Sequence, residues 1–359
     1  MKIGLIGLPL VGKTTLFNLL TDGNAETSKY LSGRTELNLG MAKVPDIRID
    51  WLSKLYKPRK TTYAQIEITD LPGLSREGST GGNSFLDQIR QVDALVHVVR
   101  AFHSDDLEHV DGNVDPIRDL NNIDAELLLA DLDFIEKRLQ RIQSGKKITP
   151  EQNLELAALA KYQAALEDEK PLREVALSEA ETVSLQNYAF FSMLPQLVVV
   201  NVDEVQFKAE DFPSKAKVEQ TLQEKGYGYL VICAEMENEI AQLPEEDQAL
   251  FMEDLGIREA GTYRLARSMY ELVHLISFFT SGEDEVRAWT ITKGLGAKKA
   301  AGKIHSDLER GFIRAEVVAY EDLHTYGTVG KCKEKGLLRL EGKEYIVKDG
   351  DILNIRFNV

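Results

Sequence analysis

The segment Gly7-Leu8-Pro9-Leu10-Val11-Gly12-Lys13-Thr14 constrains this chain more than any other. It follows an apolar run, Ile3 to Ile6, and leads into Thr15-Leu16-Phe17-Asn18-Leu19-Leu20, whose composition suits a helix. A glycine-framed loop ending in Lys-Thr between a buried strand and a helix is the pattern that holds a triphosphate. Glycines let the backbone curl until successive N–H groups point inward, the helix N-terminus adds positive potential, and Lys13 reaches the β- and γ-phosphates. Thr14 is then the expected Mg²⁺ ligand, and Leu8 through Thr15 (Leu8, Pro9, Leu10, Val11, Gly12, Lys13, Thr14, Thr15) form the expected cradle. A chance match is the competing explanation, but chance matches rarely fall between a strand and a helix at the start of a chain.

Strand and helix signals alternate after that loop. Lys2 to Ile6, Ala64 to Thr69 and Ala94 to Val99 read as strands, which implies crossover units and a largely parallel sheet covered on both faces. From Asp124 the pattern changes: Leu128, Leu132, Ile135, Leu139 and Ile142 recur at spacings of four and three, the seam of a long amphipathic helix that Ser144-Gly145 ends. Thr149-Pro150-Glu151-Gln152 supplies a cap, a proline at the first helical position and a capping-box glutamine for a second helix carrying Leu156, Leu159 and Leu166. Strand signals resume at Gln196 to Asn201 and Tyr229 to Cys233, so a helical hairpin is expected as an arm inserted in the nucleotide domain. After an apolar helix from Leu265 to Phe279, Ser281-Gly282-Glu283-Asp284 reads as a linker to a third unit. That unit holds strand candidates at Arg287 to Thr292, Gly311 to Tyr320, Leu337 to Leu340, Tyr345 to Val347 and Ile352 to Phe357, with a helix near Lys299 to Ile304. The expected α/β organisation is a P-loop nucleotide-binding G domain in two parts (1–123 and 191–280), a helical coiled-coil arm (124–190) and a small C-terminal β domain (281–359).

Asp70-Leu71-Pro72-Gly73 ends a strand, where a carboxylate holds Mg²⁺ through water and the Gly73 N–H faces the γ-phosphate. Asn201-Val202-Asp203-Glu204 stands where guanine-specific proteins place N-K-x-D. The aspartate of that motif pairs with guanine N1–H and the 2-amino group, which adenine lacks; Glu204 adds a methylene and moves the carboxylate, so guanine preference is expected to weaken. Cys233-Ala234-Glu235 ends the next strand as the candidate base-edge loop. Leu74 occupies the place where many switch GTPases carry a water-orienting glutamine. His109, in the polar loop after Phe102, is a candidate to reach the γ-phosphate, although a locally bonded loop histidine is the commoner case.

The net charge of −15 argues against a uniformly basic nucleic-acid surface. Ser281 to Val359 is nevertheless balanced, with 14 Lys and Arg against 13 Asp and Glu, so the acidic excess sits in the rest of the chain. The tail is therefore the expected contact for RNA-rich surfaces. No apolar stretch reaches membrane-span length, the first residues read as a strand rather than a secretion signal, and two cysteines without metal-type spacing fit a reducing compartment. These features set the cytoplasm as the expected location and no membrane as a partner.

The phosphate loop, D-x-x-G, N-x-x-E, the leucine at 74, the stretch His109-Val110-Asp111-Gly112-Asn113-Val114-Asp115-Pro116 and the ending Ile355-Arg356-Phe357-Asn358-Val359 together resemble the YchF family, the Obg-like ATPases. Ala300 to His305, Gly311 to Glu316 and Glu341 to Asp351 extend the resemblance through the tail. It implies a P-loop G domain of the translation-factor class, an inserted coiled-coil domain and a TGS-like β-grasp domain. It also implies hydrolysis of ATP at least as readily as GTP, binding to the ribosome through its large subunit, RNA contact through the C-terminal domain, a role in translation or stress response, and interest in His109 for catalysis. Two positions depart from the family pattern. Leu10 stands where an asparagine is usual, and Leu31-Ser32-Gly33-Arg34-Thr35-Glu36-Leu37-Asn38 replaces P-F-x-T-I-x-P-N, leaving the switch threonine unassigned. Two functions compete: a hydrolase, or a GTP-preferring ribosome-binding switch with negligible intrinsic turnover. A P-loop small-molecule kinase is a distant third, since nothing marks an acceptor site.

Overall fold

The computed structural model describes residues 1–21, 23, 25, 38–72, 86–145 and 147–358. Two compact units emerge: Met1–Gly40 with Ile68–Thr262, and Met41–Glu67 with Tyr263–Val359. The first is built on a six-stranded sheet in the order β2-β4-β1-β5-β6-β7. Its strands are β1 (Lys2–Ile6), β2 (Asn38–Lys43), β4 (Gln65–Asp70), β5 (Ala94–Arg100), β6 (Gln196–Asn201) and β7 (Gly228–Ile232). β1, β5, β6 and β7 run parallel in register Ile6↔His97, His97↔Val198 and Val198↔Tyr229. Continuous burial of β5 and β6 follows from helices on both faces, so their sequences are apolar without alternation. The parallel strands β1, β5, β6 and β7 bring their C-terminal ends to one edge, where loops collect, and β2 runs opposite to β4, its first residue Asn38 lying against Asp70 at the end of β4.

Helix α1 (Lys13–Thr21) follows β1 after the phosphate loop, and α2 (Ile47–Tyr56) follows β2. α3 spans Pro116–Gln143, with Asp115 as N-cap accepting from the Ile117 and Arg118 amides and Pro116 at the first helical position. A domain break at 123/124 was expected, and the structure corrects it. One continuous helix packs Leu120 with Val99 and Val198 over the sheet, then carries Ile135, Leu139 and Ile142 into contact with Leu159, Tyr162 and Leu166 of α4 (Pro150–Glu167). The capping box of α4 forms as expected, Thr149 and Gln152 each accepting from the other's amide.

The insertion is more than a helix pair. α5 (Glu179–Leu185), with its own capping box at Ser178 and Glu181, closes it together with Phe190, whose ring meets Tyr162 edge-on at 5.3 Å. Buried Asp131 of α3 ties the return to β6 by accepting from the Phe191 and Ser192 amides at 2.9 and 2.8 Å and from the Ser192 hydroxyl at 2.7 Å. Burial pushes that carboxyl above its ordinary range, and those three donors pull it back. Helices α6 (Glu204–Ala209), α7 (Lys215–Glu224), α8 (Ala234–Gln242) and α9 (Glu245–Asp254) complete the unit.

The second unit carries β3 (Lys60–Thr62), β8 (Leu275–Ser281), β9 (Glu285–Thr292), β10 (Phe312–Ala319), β11 (Arg339–Glu341) and β12 (Asp351–Phe357) in the order β11-β10-β12-β8-β9-β3. α10 (Gly261–Leu272) precedes β8, and α11 (Ala297–Ile304) lays Ala297 and Ala300 on Ile276, Phe278, Val317 and Leu353. Small alanines let the helix sit close on the sheet. Several expectations change here. The apolar stretch Leu265 to Phe279 is a helix only to Leu272; His274 turns the chain at φ 51° and the rest is β8. The supposed linker Ser281 to Asp284 is the turn of the β8–β9 hairpin, where the Gly282 N–H donates to the Glu285 carbonyl at 3.1 Å. Tyr345 to Val347 makes only an isolated bridge, Ile346 to Gly296.

Residues 41–67, expected in the nucleotide domain, fold with the second unit. β3 pairs in parallel with β9, Arg48 bonds Asp349 at 2.6 Å, and Trp51 meets Tyr320 edge-on at 5.6 Å. Among the described residues no helix is long and apolar enough to cross a membrane.

Candidate functional site

The C-terminal ends of β1, β4, β5, β6 and β7 meet at one edge of the first sheet. β1 ends at Ile6 and the chain bends at Gly7, where a Cβ would lie 2.4 Å from the Val98 carbonyl oxygen of β5. Only glycine lets the two strands approach so closely there. The loop then passes Leu10 at φ 62° and Gly12 at φ 97° before α1 begins. A leucine in the left-handed region costs about 1–2 kcal/mol, whereas asparagine tolerates it. The departure at position 10 therefore adds strain to the phosphate loop.

Lys13, buried at 7% exposure, donates from Nζ to the Leu8 and Gly7 carbonyls at 2.7 and 3.2 Å. Burial lowers its pKa to about 8, although nearby Asp70 pulls it up. The Thr14 hydroxyl donates to Asp70 Oδ2 at 2.8 Å, and Asn38 Nδ2 donates to the same oxygen at 3.2 Å. Asp70 Oδ1 is buried without a hydrogen-bond partner among the described residues. An unpaired carboxylate oxygen beside a threonine hydroxyl that accepts no hydrogen bond among the described residues is a donor set suited to magnesium, which takes one or two protein oxygens and completes its octahedron with water and phosphate.

Asn201, 4% exposed at the end of β6, joins three loops. Its Nδ2 donates to the Val11 carbonyl at 3.0 Å and its Oδ1 accepts the Ala234 N–H at 3.0 Å. These bonds use one of the two N–H donors and one lone pair of the oxygen. Asp203 caps α6, accepting from the Gln206 amide at 2.9 Å and the His103 amide at 3.3 Å. Glu204 is exposed and pairs with Lys208 on its own helix at 2.6 Å. The side chains of Val202 and Cys233, two of the nucleotide-binding candidates, lie in the core with Phe212 and Met236. Burial pushes the Cys233 thiol up to about 11. Ala234 is buried and Glu235 exposed in the first turn of α8.

His109 is held locally. Its Nδ1 accepts the Asp111 N–H at 3.1 Å and its Nε2 lies 2.8 Å from Asp119 Oδ2, which fixes the tautomer with the proton on Nε2. Burial raises the Asp119 carboxyl against the pull of Arg118 and His109. The ligand atoms of His109, Asp111 and Asp119 lie within 4.8 Å of one another, yet the Arg118 guanidinium, 2.9 Å from Asp119 and 3.6 Å from Asp111, already supplies the positive charge there. Gly73, Leu74, Arg34 and Thr35 lie outside the described residues.

Two residues join the site without being expected in it. Asn38 opens β2 and reaches the Asp70 carboxylate; the register of the first-switch segment with P-F-x-T-I-x-P-N is the signal that points to it. Arg100, 2% exposed, shapes the loop toward His109 by donating to the Phe102 and Leu107 carbonyls at 3.2 and 2.9 Å. A charged residue at the end of a fully buried strand is its only sequence mark. A cavity of about 400 Å³ lies beside Tyr162, Leu185 and Phe190 in the helical insertion; no phosphate-loop residue lines it.

Residues 2–131 match the family model MMR_HSR1, described as 50S ribosome-binding GTPase, and residues 275–358 match YchF-GTPase_C, described as a protein of unknown function (DUF933). The chain is 44% identical to Ribosome-binding ATPase YchF of Bacillus subtilis, with all of both chains covered. It is 36% identical to Obg-like ATPase 1 of Caenorhabditis elegans, with all of this chain and 92% of that one covered. The solved structure of the Schizosaccharomyces pombe YchF GTPase superposes with a TM-score of 0.87 at 34% identity, covering 99% of this chain and 97% of that one.

Proposed function

This chain belongs to the YchF family, and from that membership and the site's chemistry we propose that it is a magnesium-dependent nucleoside-triphosphate hydrolase that accepts ATP as well as GTP and works on the ribosome. The observation that carries the reading is the Lys13–Thr14–Asp70 constellation, with one carboxylate oxygen unpaired among the described residues. The loop amides and Lys13 hold the phosphates, Thr14 and Asp70 would hold magnesium, and Asn201 keeps the phosphate loop and the β7–α8 loop in fixed relation. Bound magnesium would neutralise charge on the β- and γ-phosphates. The relatives' names carry the ribosome as partner, with the large subunit the finer proposal and RNA contact assigned to the C-terminal unit.

Relaxed base choice is supported by the two carboxylates after Asn201. Asp203 caps its helix, and Glu204, a methylene longer than the aspartate that pairs with guanine, lies exposed against Lys208 on its own helix. Competitive binding of ATP and GTP to nucleotide-free protein should give affinities within about tenfold of each other; a guanine preference of roughly a hundredfold or more, on the scale of a fully paired polar site, would overturn it.

A second reading, a nucleotide-controlled ribosome-binding switch with negligible intrinsic turnover, draws on His109. Pinned between Asp119 and the Asp111 amide, it is not positioned to serve the γ-phosphate without giving up both contacts. Steady-state phosphate release with and without ribosomes separates the two readings, since fast ribosome-independent turnover belongs only to the hydrolase.

The buried lysine also predicts a pH profile. With its pKa lowered to about 8, Lys13 of the free protein loses its charge as pH rises through that value. The ratio kcat/KM reports the free enzyme and should fall about tenfold per pH unit above that point. kcat should hold to higher pH, because bound phosphates favour the ammonium. A flat kcat/KM between pH 7 and about 9.5 would contradict the assignment of Lys13 as the phosphate-binding cation.

A further inference from the structure

The two oxygens of Asp70 are treated differently. Oδ2 takes two hydrogen bonds, from Thr14 Oγ1 at 2.8 Å and from Asn38 Nδ2 at 3.2 Å, while Oδ1 is buried and takes none among the described residues. The geometry points to Asn38 as the positioning residue for magnesium. Its amide, together with Thr14, fills the lone pairs of one carboxylate oxygen and so turns the other toward the metal.

This inference rests on reading the Lys13–Thr14–Asp70 constellation as a metal–nucleotide site. A carboxylate oxygen has two lone-pair directions in its plane, so two donors on Oδ2 fix the rotation of the whole group. Thr14 alone would leave the carboxylate free to pivot about its single bond to that hydroxyl. Asn38 supplies the second fixed point from a different strand: it opens β2, and Asp70 closes β4, its neighbour in the sheet. An amide suits the task because it is neutral. A lysine there would compete with the cation, and a second carboxylate would add repulsion beside Asp70. Residues that orient a metal ligand in this way typically contribute tenfold to a hundredfold in metal affinity.

The competing explanation is mechanical: the contact merely fastens the ends of two neighbouring strands. That role would show as lower stability and weaker nucleotide binding of every kind, with no particular effect on the metal. The experiment separates these roles in the full chain. Release of a fluorescent adenosine diphosphate is followed across a magnesium titration, and its affinity is measured again in EDTA, for wild type, Asn38→Ala and the near-isosteric Asn38→Leu.

The expected result is a rise of about tenfold or more in the half-saturating magnesium concentration for both variants. Affinity in EDTA and the melting temperature should match wild type for Asn38→Leu, which keeps the volume even if Asn38→Ala proves unstable. A half-saturating concentration unchanged in Asn38→Leu would overturn the role of Asn38 while leaving the nucleotide site intact. Metal dependence that moved only in step with EDTA affinity and melting temperature would overturn it equally. A wild-type protein whose nucleotide release ignores magnesium would instead sink the reading of the site itself, and this inference with it.

Discussion

Gly12→Ala should destabilise the fold by about 3–5 kcal/mol and abolish measurable nucleotide binding. The backbone at Gly12 has φ 97°, a conformation side chains rarely adopt, and a Cβ there would sit 2.4 Å from Asn201 Nδ2. Strain of the first kind costs about 1–3 kcal/mol. The contact adds a separate penalty, because Asn201 cannot retreat without breaking its bonds to the Val11 carbonyl and the Ala234 amide. Each buried polar group left unpaired costs about 1–3 kcal/mol. Denaturant unfolding of Gly12→Ala, Asn201→Ala and the double variant isolates the contact. In the Asn201→Ala background the alanine at 12 incurs only the backbone strain, so the cycle should show a coupling of at least about 1 kcal/mol. Additive effects would mean that Asn201 does not brace the loop.

The phosphate side of this site is legible in the sequence because its chemistry is local. Eight consecutive residues from Gly7 to Thr14 specify a bend, a set of amides, a cation and a hydroxyl, and the structure brings Lys13 and Thr14 together beside Asp70. The base side is less legible. Asn201, Val202 and Glu204 lie within four residues, yet the alternation of the chain leaving β6 sends Val202 into the core and Glu204 out to Lys208. Such a split depends on where the strand ends and the helix cap begins, which spacing alone does not fix. Asn38 is hidden for another reason: its partner is thirty-two positions away on a neighbouring strand.

The fold divides along the same line. Apolar strands such as Gln196–Asn201 are legible to the residue because burial on both faces leaves a continuous signal. β3, with the sequence Lys-Thr-Thr, carries no such signal; it is a strand because it pairs with β9, and that pairing moves residues 41–67 into the second unit. β8 reads in the sequence as the end of a helix because Leu265 to Phe279 is apolar nearly throughout its second half, and short apolar runs do not distinguish helix from strand. α3 begins eight residues before the expected boundary at Asp124, because the Asp115-Pro116 cap is a stronger start signal than the onset of the heptad seam.

Lys13→Ala should reduce steady-state phosphate release by roughly a hundredfold to a thousandfold, the scale of losing one charge-stabilising donor on the transferred group. Its effect on stability should be opposite to what a buried, doubly bonded side chain suggests. Lys13 is held at 7% exposure with, among the described residues, two carbonyls as hydrogen-bond partners, and burial outweighs the pull of Asp70 on its pKa, so holding the charged head there costs free energy until phosphate arrives. Removing it takes away that cost along with the two bonds, and the melting temperature of the nucleotide-free protein should stay level or rise. Lys13→Arg should not restore turnover, because a planar guanidinium is broader than the ammonium and must fit the same enclosed position between the Gly7 and Leu8 carbonyls. Thermal melts of nucleotide-free protein, run beside phosphate-release assays on the same preparations, test both halves. Lost turnover accompanied by a large fall in melting temperature would make Lys13 a structural residue; wild-type phosphate release from pure Lys13→Ala would remove the lysine from the chemistry. Stability retained with activity lost is the outcome that identifies a side chain kept charged and confined for the sake of the anion it receives.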